Sequence, residues 1–409
     1  MASSSLRLAK KPKTTLYISC PQCSAAPVSA VRTTLLSKRW NKLWTSVRHL
    51  DFDIVREMIR YRSRFESFVQ FVFLRLSSPD IGKFRLRYVT SPYSNSDSSL
   101  LSDWVSAAIW LNVVELDLKI LNGSFEYLCD LPQSIFWCKT LKVLKLWIDS
   151  DIAIPKPPTS GCFPSLKIFH LTVINPGERL GILLSYFPVL EDLSIHGHVT
   201  YSYSAYSNMN VKVSTPELKT LKLSMERAKR DFMYDDDYYE TPKHNSFCVD
   251  APKLENLEVI QIPLSNVILE NPKSVVHASI AFKSLAKEEW PSFPDRAYQL
   301  LTGISNVKCL SLLDQPFEAS NLPVFGNLNQ LRLVLRNRNS WEFLTLLLPK
   351  TPNLEDLDLV LEDGTEGQKD DPELEWTPPE LVPDCLSSNL KTYTTTNSDS
   401  SDQQSGHKS

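Results

Sequence analysis

Cys20-Pro-Gln-Cys23 places two thiols at the C-x-x-C spacing that holds zinc or cycles through a disulfide. A structural zinc site is almost always four-coordinate, yet no second C-x-x-C and no nearby histidine accompany the pair, so the plainer reading is two unrelated cysteines. His196-Gly-His198 could set two imidazoles side by side, or simply be a strand end with polar termini. Asp356 and Asp358 stand two residues apart, so on a strand their carboxylates share a face as an acid/base pair would. Without an apolar pocket to raise one pKa, they read as surface charge. The chain has only 11 glycines and lacks G-x-G-x-x-G, G-x-x-x-x-G-K, G-x-S-x-G and H-E-x-x-H, the signatures of phosphate cradles, nucleophile elbows and zinc proteases. The expectation is a protein that is not an enzyme, with no catalytic, metal or cofactor-binding residues and no cofactor.

The elements that carry these residues follow from a repeat. Phe187-Pro-Val-Leu-Glu-Asp-Leu-Ser-Ile195 returns as FPSLKIFHL (163–171), TPELKTLKL (215–223), APKLENLEV (251–259) and TPNLEDLDL (351–359). Looser copies keep the L-x-x-L-x-L spacing at Val113/Leu116/Leu118, Leu141/Leu144/Leu146, Val307/Leu310/Leu312 and Leu328/Leu331/Leu333. The first apolar positions are 28, 25, 24, 28, 36, 53, 21 and 26 residues apart, and most of these intervals match the roughly 20–29-residue period of leucine-rich repeats. A weaker unit starting at Val275 would divide the longest interval.

Each unit predicts a short strand with alternate side chains on opposite faces, Leu193 and Ile195 inward, Asp192, Ser194 and His196 outward. No unit buries its apolar side alone, so the fold class expected is an α/β leucine-rich-repeat solenoid with a parallel sheet on its concave face. Residues 125–137, 178–187 and 341–348 are apolar enough to be helices on the other side. The outward positions Lys119, Lys145, Trp147, His170, Asp192, Ser194, His196, Lys222, Glu258 and Arg332 are the candidate substrate-binding set.

Charge and composition exclude several classes. The net charge is −3, which gives no reason to expect a nucleic-acid partner, and no run of 18 apolar residues suggests a membrane span. Eight scattered cysteines in a long chain without a secretory signal predict a reduced, intracellular protein, cytoplasmic or nuclear, with no disulfides. Residues 1–50 hold nine Lys and Arg and no acid, the composition of a solvated basic tail or of an organellar transit peptide, and Lys10-Lys-Pro-Lys13 is a weak nuclear-import candidate.

Val31, Leu35, Trp40, Leu43, Trp44 and Val47 recur at helical spacing. The stretch from Ala30 to Asp53, with its core string LSKRWNKLW, resembles the second half of the F-box of plant F-box proteins that carry leucine-rich repeats and an FBD domain. The resemblance continues at FRLRYV (84–89), LPQSIFWCKTLKVLKL (131–146), YFPVLEDL (186–193), VDAPKLENL (249–257), LTGISNVKCLSL (301–312) and WTPPELVPDCLSSNLKT (376–392).

It implies a helical module that docks onto a Skp-type adaptor of a cullin-RING ubiquitin ligase, using Leu35, Leu36, Ser37, Arg39, Trp40, Leu43 and Trp44. Trp40 and Trp44 serve equally well as core of that module. It further implies repeats that present a protein substrate of unknown identity, hence a non-catalytic substrate-recognition subunit. The alternative is a repeat-only binding or structural protein that does not engage the ligase, because residues 1–27 contain nothing like the Leu-Pro segment and apolar helix that open the family's F-box.

The organisation expected is a basic tail (1–27), a partial F-box-like helical segment (28–53), a helical linker and entry to the repeats (54–109), the solenoid (110–362), an acidic linker (363–375), an FBD remnant (376–392) and a disordered polar tail (393–409). Residues 91–99, 201–210 and 225–245 read as loops.

Overall fold

The computed structural model describes residues 47–54, 62–78, 80–89, 96–121, 131–148, 162–174, 178–199, 210–227, 245–261, 265–282, 293–313, 322–335, 338–361, 383, 385–397 and 403–407. They fall into two compact units, Met1–Pro155 and Lys156–Ser409.

In the first unit β1 (His49–Asp53), β2 (Lys83–Val89), β3 (Glu115–Leu121) and β4 (Val143–Ile148) pair in parallel in that order. The registers align Leu50, Phe84, Leu116 and Leu144 in one buried row and Phe52, Leu86, Leu118 and Leu146 in the next. Helix α1 (Arg62–Arg75) turns Phe65, Val69 and Val72 onto this layer, the i, i+4, i+7 stripe of a one-sided helix. Helix α2 (Ser96–Trp110) adds Trp104, whose ring meets Tyr88 edge-on at 5.5 Å. Asn112 ends α2 at φ 53°, its N–H donating to Ile109 O while Val113 N–H donates to Ala108 O. This left-handed closure favours Gly or Asn.

The stretch 54–109, expected as a helical linker and entry to the repeats, holds α1, β2 and α2, while β1 falls in the stretch read as helical F-box. His49-Leu-Asp-Phe-Asp53 and Lys83-Phe-Arg-Leu-Arg87 alternate charge with apolar residues at period two, which buries one side of a strand and wets the other.

The second unit carries β5 (Ile168–Ile174), β6 (Asp192–Val199), β7 (Asn210–Ser214), β8 (Thr220–Arg227), β9 (Asn245–Asp250), β10 (Asn256–Gln261), β11 (Ser265–Leu269), β12 (His277–Phe282), β13 (Cys309–Leu313), β14 (Gln330–Leu335), β15 (Asp356–Leu361), β16 (Thr392–Asn397) and β17 (Gln403–His407). The main sheet runs β5-β6-β8-β10-β12-β13-β14-β15-β16-β17, parallel except for the final antiparallel pair. The weak unit at Val275 is a full member, since β12 fills the place between β10 and β13.

Two recurrent hydrogen bonds explain the repeat. First, the N–H of the leading apolar residue closes a turn onto the carbonyl three residues back, as Leu166 to Phe163, Leu218 to Thr215, Leu254 to Ala251 and Leu354 to Thr351. The Pro of FP, TP and AP occupies the second position of that turn, where its fixed φ suits and its missing N–H is not needed. Second, one carbonyl ahead of each strand accepts two N–H groups of the next repeat: Glu191 O from Lys219 and Thr220, Lys219 O from Glu255 and Asn256, Glu355 O from Lys391 and Thr392. Neighbours are thus stitched at the turn as well as along the strands.

On the other side stand α3 (Glu178–Leu184), α4 (Phe293–Gly303), α5 (Arg338–Leu347) and a second parallel sheet, β7-β9-β11. Helix α3 lies close against β7, and a Cβ at Gly181 would come within 3.0 Å of Lys212 N. Of the three expected helices, 178–187 and 341–348 appear as α3 and α5, while 125–137 retains the 3₁₀ turn Gln133–Trp137, its first residues lying outside those described. The polar tail expected after 392 instead supplies β16. Thr-rich TYTTTN buries little, but β-branched residues suit a strand, and β15 offers a pairing edge.

Candidate functional site

The alternation that buries Leu puts a second set of side chains on the open face of each sheet. In the second unit one outward row reads His170, Ser194, Lys222, Glu258, Ser279, Ser311, Arg332, Asp358 and Thr394, in register from β5 to β16. The contrast along β6 is sharp: Leu193 is 0% exposed, whereas the His196 side chain is 37% exposed.

Between β8 and β16 this face holds a depression of about 570 Å³. Its floor is Ser279 and Ser311, with Ala278 and Leu310 reaching it from the buried row. Its walls are ion pairs: Lys222 Nζ lies 2.7 Å from Glu258 Oε2 on one side, and Arg332 Nε lies 3.5 Å from Asp358 Oδ2 on the other. The Glu258 hydrogen bond raises the Lys222 pKa against the opposing effect of burial.

A chain of side-chain hydrogen bonds crosses the adjacent row. Cys309 Sγ donates to Gln330 Oε1 (3.0 Å), Gln330 Nε2 donates to Asp356 Oδ2 (3.2 Å), and the Thr392 hydroxyl donates to Asp356 Oδ1. Burial pushes the Cys309 thiol up, so it stays protonated as the donor. Thr394 Oγ1 likewise donates to Asp358 Oδ1 (2.7 Å). Asp356 and Asp358 do share a face, but each carboxylate is held by a threonine of β16, an arrangement for fixing shape rather than moving protons.

Nearer β5 a smaller hollow of about 210 Å³ is lined by His170, Ser194, His196 and Lys222. His170 Nε2 lies 3.7 Å from Asp192 Oδ1, and His196 Nε2 lies 3.9 Å from Glu226 Oε2. His198 follows on β6, its side chain outside the described residues. Among the described residues no cluster of His, Cys, Asp and Glu could hold a metal, and no helix is long and apolar enough to cross a membrane.

The remaining expected outward residues, Lys119, Lys145 and Trp147, belong to the first unit. Lys119 Nζ sits 3.1 Å from the centroid of the Trp147 ring, and Lys145 Nζ lies 3.3 Å from Glu115 Oε1, which Lys83 also holds at 2.9 Å. Burial would raise the Glu115 pKa, but these two ammonium groups outweigh it and keep the carboxyl below its ordinary range.

The expected adaptor residues Leu35, Leu36, Ser37, Arg39, Trp40, Leu43 and Trp44, like Cys20 and Cys23, lie outside the described residues. Ser279, Ser311, Gln330, Thr392 and Thr394 were not singled out from the sequence. For Ser311 the signal was present, as the residue between Leu310 and Leu312.

The family model describing the leucine-rich repeats of FBD-associated F-box protein At5g56370 matches residues 101–280. Three Arabidopsis thaliana proteins are similar over most of the chain. The putative F-box/FBD/LRR-repeat protein At4g00315 is 27% identical across 89% of this chain and 80% of its own length. F-box/LRR-repeat protein At3g59200 is 30% identical across 80% of this chain, which spans 64% of that protein, and F-box/FBD/LRR-repeat protein At5g56420 is 29% identical across 88% and 78%. No solved structure matches.

Proposed function

This chain is a relative of the plant F-box/FBD/LRR-repeat proteins, and from that premise we propose that it is a non-catalytic substrate-recognition subunit of an SCF-type cullin-RING ubiquitin ligase. The LSKRWNKLW stretch, with Leu35, Leu36, Ser37, Arg39, Trp40, Leu43 and Trp44, would meet the Skp-type adaptor. The open face of the second unit, including His170, Asp192, Ser194, His196, Lys222, Glu258 and Arg332, would hold the protein substrate.

The observation that carries this reading is the depression of about 570 Å³ on the outward face. A sheet built only to stack repeats has no need of small residues on two neighbouring strands between charged walls. Pockets of this size fall within the roughly 300–1,000 Å³ range of binding sites.

The test is titration of the full chain against a Skp-type adaptor, with Trp40→Ala and Ser311→Trp in parallel. Adaptor binding lost in Trp40→Ala and kept in Ser311→Trp supports the assignment. Failure of the unaltered chain to bind the adaptor would favour a repeat-only binding protein outside the ligase.

A further inference from the structure

The depression has a polarity that limits what fits it. Along the central outward row the order is Lys222, Glu258, Ser279, Ser311, Arg332, Asp358, so the inner member of one wall is an anion and the inner member of the other is a cation. Each is half-exposed, with side-chain exposures of 40% for Glu258 and 58% for Arg332. Neither floor hydroxyl, Ser279 nor Ser311, makes a hydrogen bond among the described residues, so both can serve a ligand. Glu258 on β10 and Arg332 on β14 are separated by β12 and β13, three strand spacings or about 14 Å.

We infer that the ligand is an extended peptide segment of mixed charge, lying across the strands with a basic side chain at Glu258 and an acidic one at Arg332. This rests on the substrate-receptor reading above and names the chemistry of what is received. An extended chain advances about 3.4 Å per residue, so 14 Å sets the two charged residues about four positions apart. The residues between them must be small and able to hydrogen-bond, because they pass over serines rather than into an apolar slot. A compact ligand of one charge would lie beside the opposite charge of one ion pair and the like charge of the other. A segment with both charges satisfies both walls, and charge order of this kind selects partners more than it adds affinity.

The experiment is fluorescence polarisation on the full chain with three labelled peptides that differ only at two positions four apart, across serine and alanine: Lys/Asp, Lys/Lys and Asp/Asp. The unaltered protein should bind Lys/Asp about tenfold more tightly than either like-charged peptide. Glu258→Lys makes both inner walls cationic and should turn the preference to Asp/Asp, and Arg332→Glu should turn it to Lys/Lys. A new preference is a gain that a misfolded protein cannot imitate, and Glu258→Gln, which keeps the wall's shape, should reduce the Lys/Asp advantage alone. Equal binding of the three peptides by the unaltered chain, or a preference unmoved by either single change, overturns the inference and leaves the depression to a compact ligand. Adaptor titration of the same proteins separates the two readings: adaptor binding without charge preference sinks only the peptide, and charge preference without adaptor binding sinks only the ligase.

Discussion

The two units build their open faces on the same alternation and both pair charges from strand to strand, but in the second the pairing is interrupted by two neighbouring strands that carry serines. In Met1–Pro155 the outward residues form a chequerboard in which nearly every charge meets its complement on the next strand: Lys83 with Glu115, Arg85 with Asp51 and Asp117, Arg87 with Asp53, Lys145 with Glu115. In Lys156–Ser409 complementary charges stand at the walls of a depression, and the strands between them carry serines. Both faces are permitted by the buried rows, which repeat the same register. The difference shows that stacking constrains the inward positions and leaves the outward ones free for recognition.

The comparison breaks if the faces matter as much to folding as the layers beneath them. The largest effect should come from a buried ion pair under the first unit. Arg62 reaches Asp97, Glu66 and Tyr88, with Arg62 and Asp97 side chains only 14% and 5% exposed. Arg62→Ala withdraws the guanidinium from the buried Asp97 carboxylate and should cost about 3–5 kcal/mol in denaturant unfolding. Next, truncating the shared buried row should hurt the second unit almost as much: Leu193→Ala should cost about 2–5 kcal/mol, against under about 0.5 kcal/mol for outward His196→Ala. Comparable losses at both positions would show that the facing has been misassigned.

A smaller effect sharpens the contrast at the depression. Thr394→Val removes the hydroxyl that holds Asp358 and should cost about 1 kcal/mol of stability, read from the denaturation midpoint.

The smallest effect concerns pH and the first unit. Glu115 has a lowered pKa, so its contribution is present above the unfolded value and lost as pH falls through the folded one. Burial raises Asp51 and Asp117, and Lys83 opposes it. Lys83→Met therefore moves all three carboxyls upward and should flatten the loss of stability between about pH 5 and pH 3, by a few tenths of a kcal/mol because the groups are partly solvated. An unchanged acid limb in the variant would remove Lys83 from this account.

What was legible in the chain follows the same division. The L-x-x-L-x-L spacing located the strands from β3 to β15 in the two main sheets, with β12 offered only by the weaker unit at Val275, because a leucine out of register by one residue would face water. It missed β1 and β2, whose apolar partners are Phe52, Phe84 and Tyr88 and whose pattern is plain alternation with charge. It missed β7-β9-β11, since Val211-Lys-Val213 and Phe247-Cys-Val249 are too short to stand out, although each lies just ahead of a TP or AP turn. The threonine strand β16 was read as tail because a run of hydroxyl side chains leaves little apolar signature. Of the candidate site, Lys222, Glu258 and Arg332 of the walls were legible, and of the floor only the outward place of Ser311 between Leu310 and Leu312: that Ser279 and Ser311 are small becomes informative only once their neighbours' registers are known.

The most direct test compares one charge exchange in each unit, using the Lys/Asp and Asp/Asp peptides on the full chain. Glu258→Lys in the second unit should shift preference toward Asp/Asp, whereas Glu115→Lys in the first should leave the Lys/Asp preference intact. A shift caused by Glu115→Lys and absent from Glu258→Lys would contradict the account, placing recognition on the charge-paired face instead.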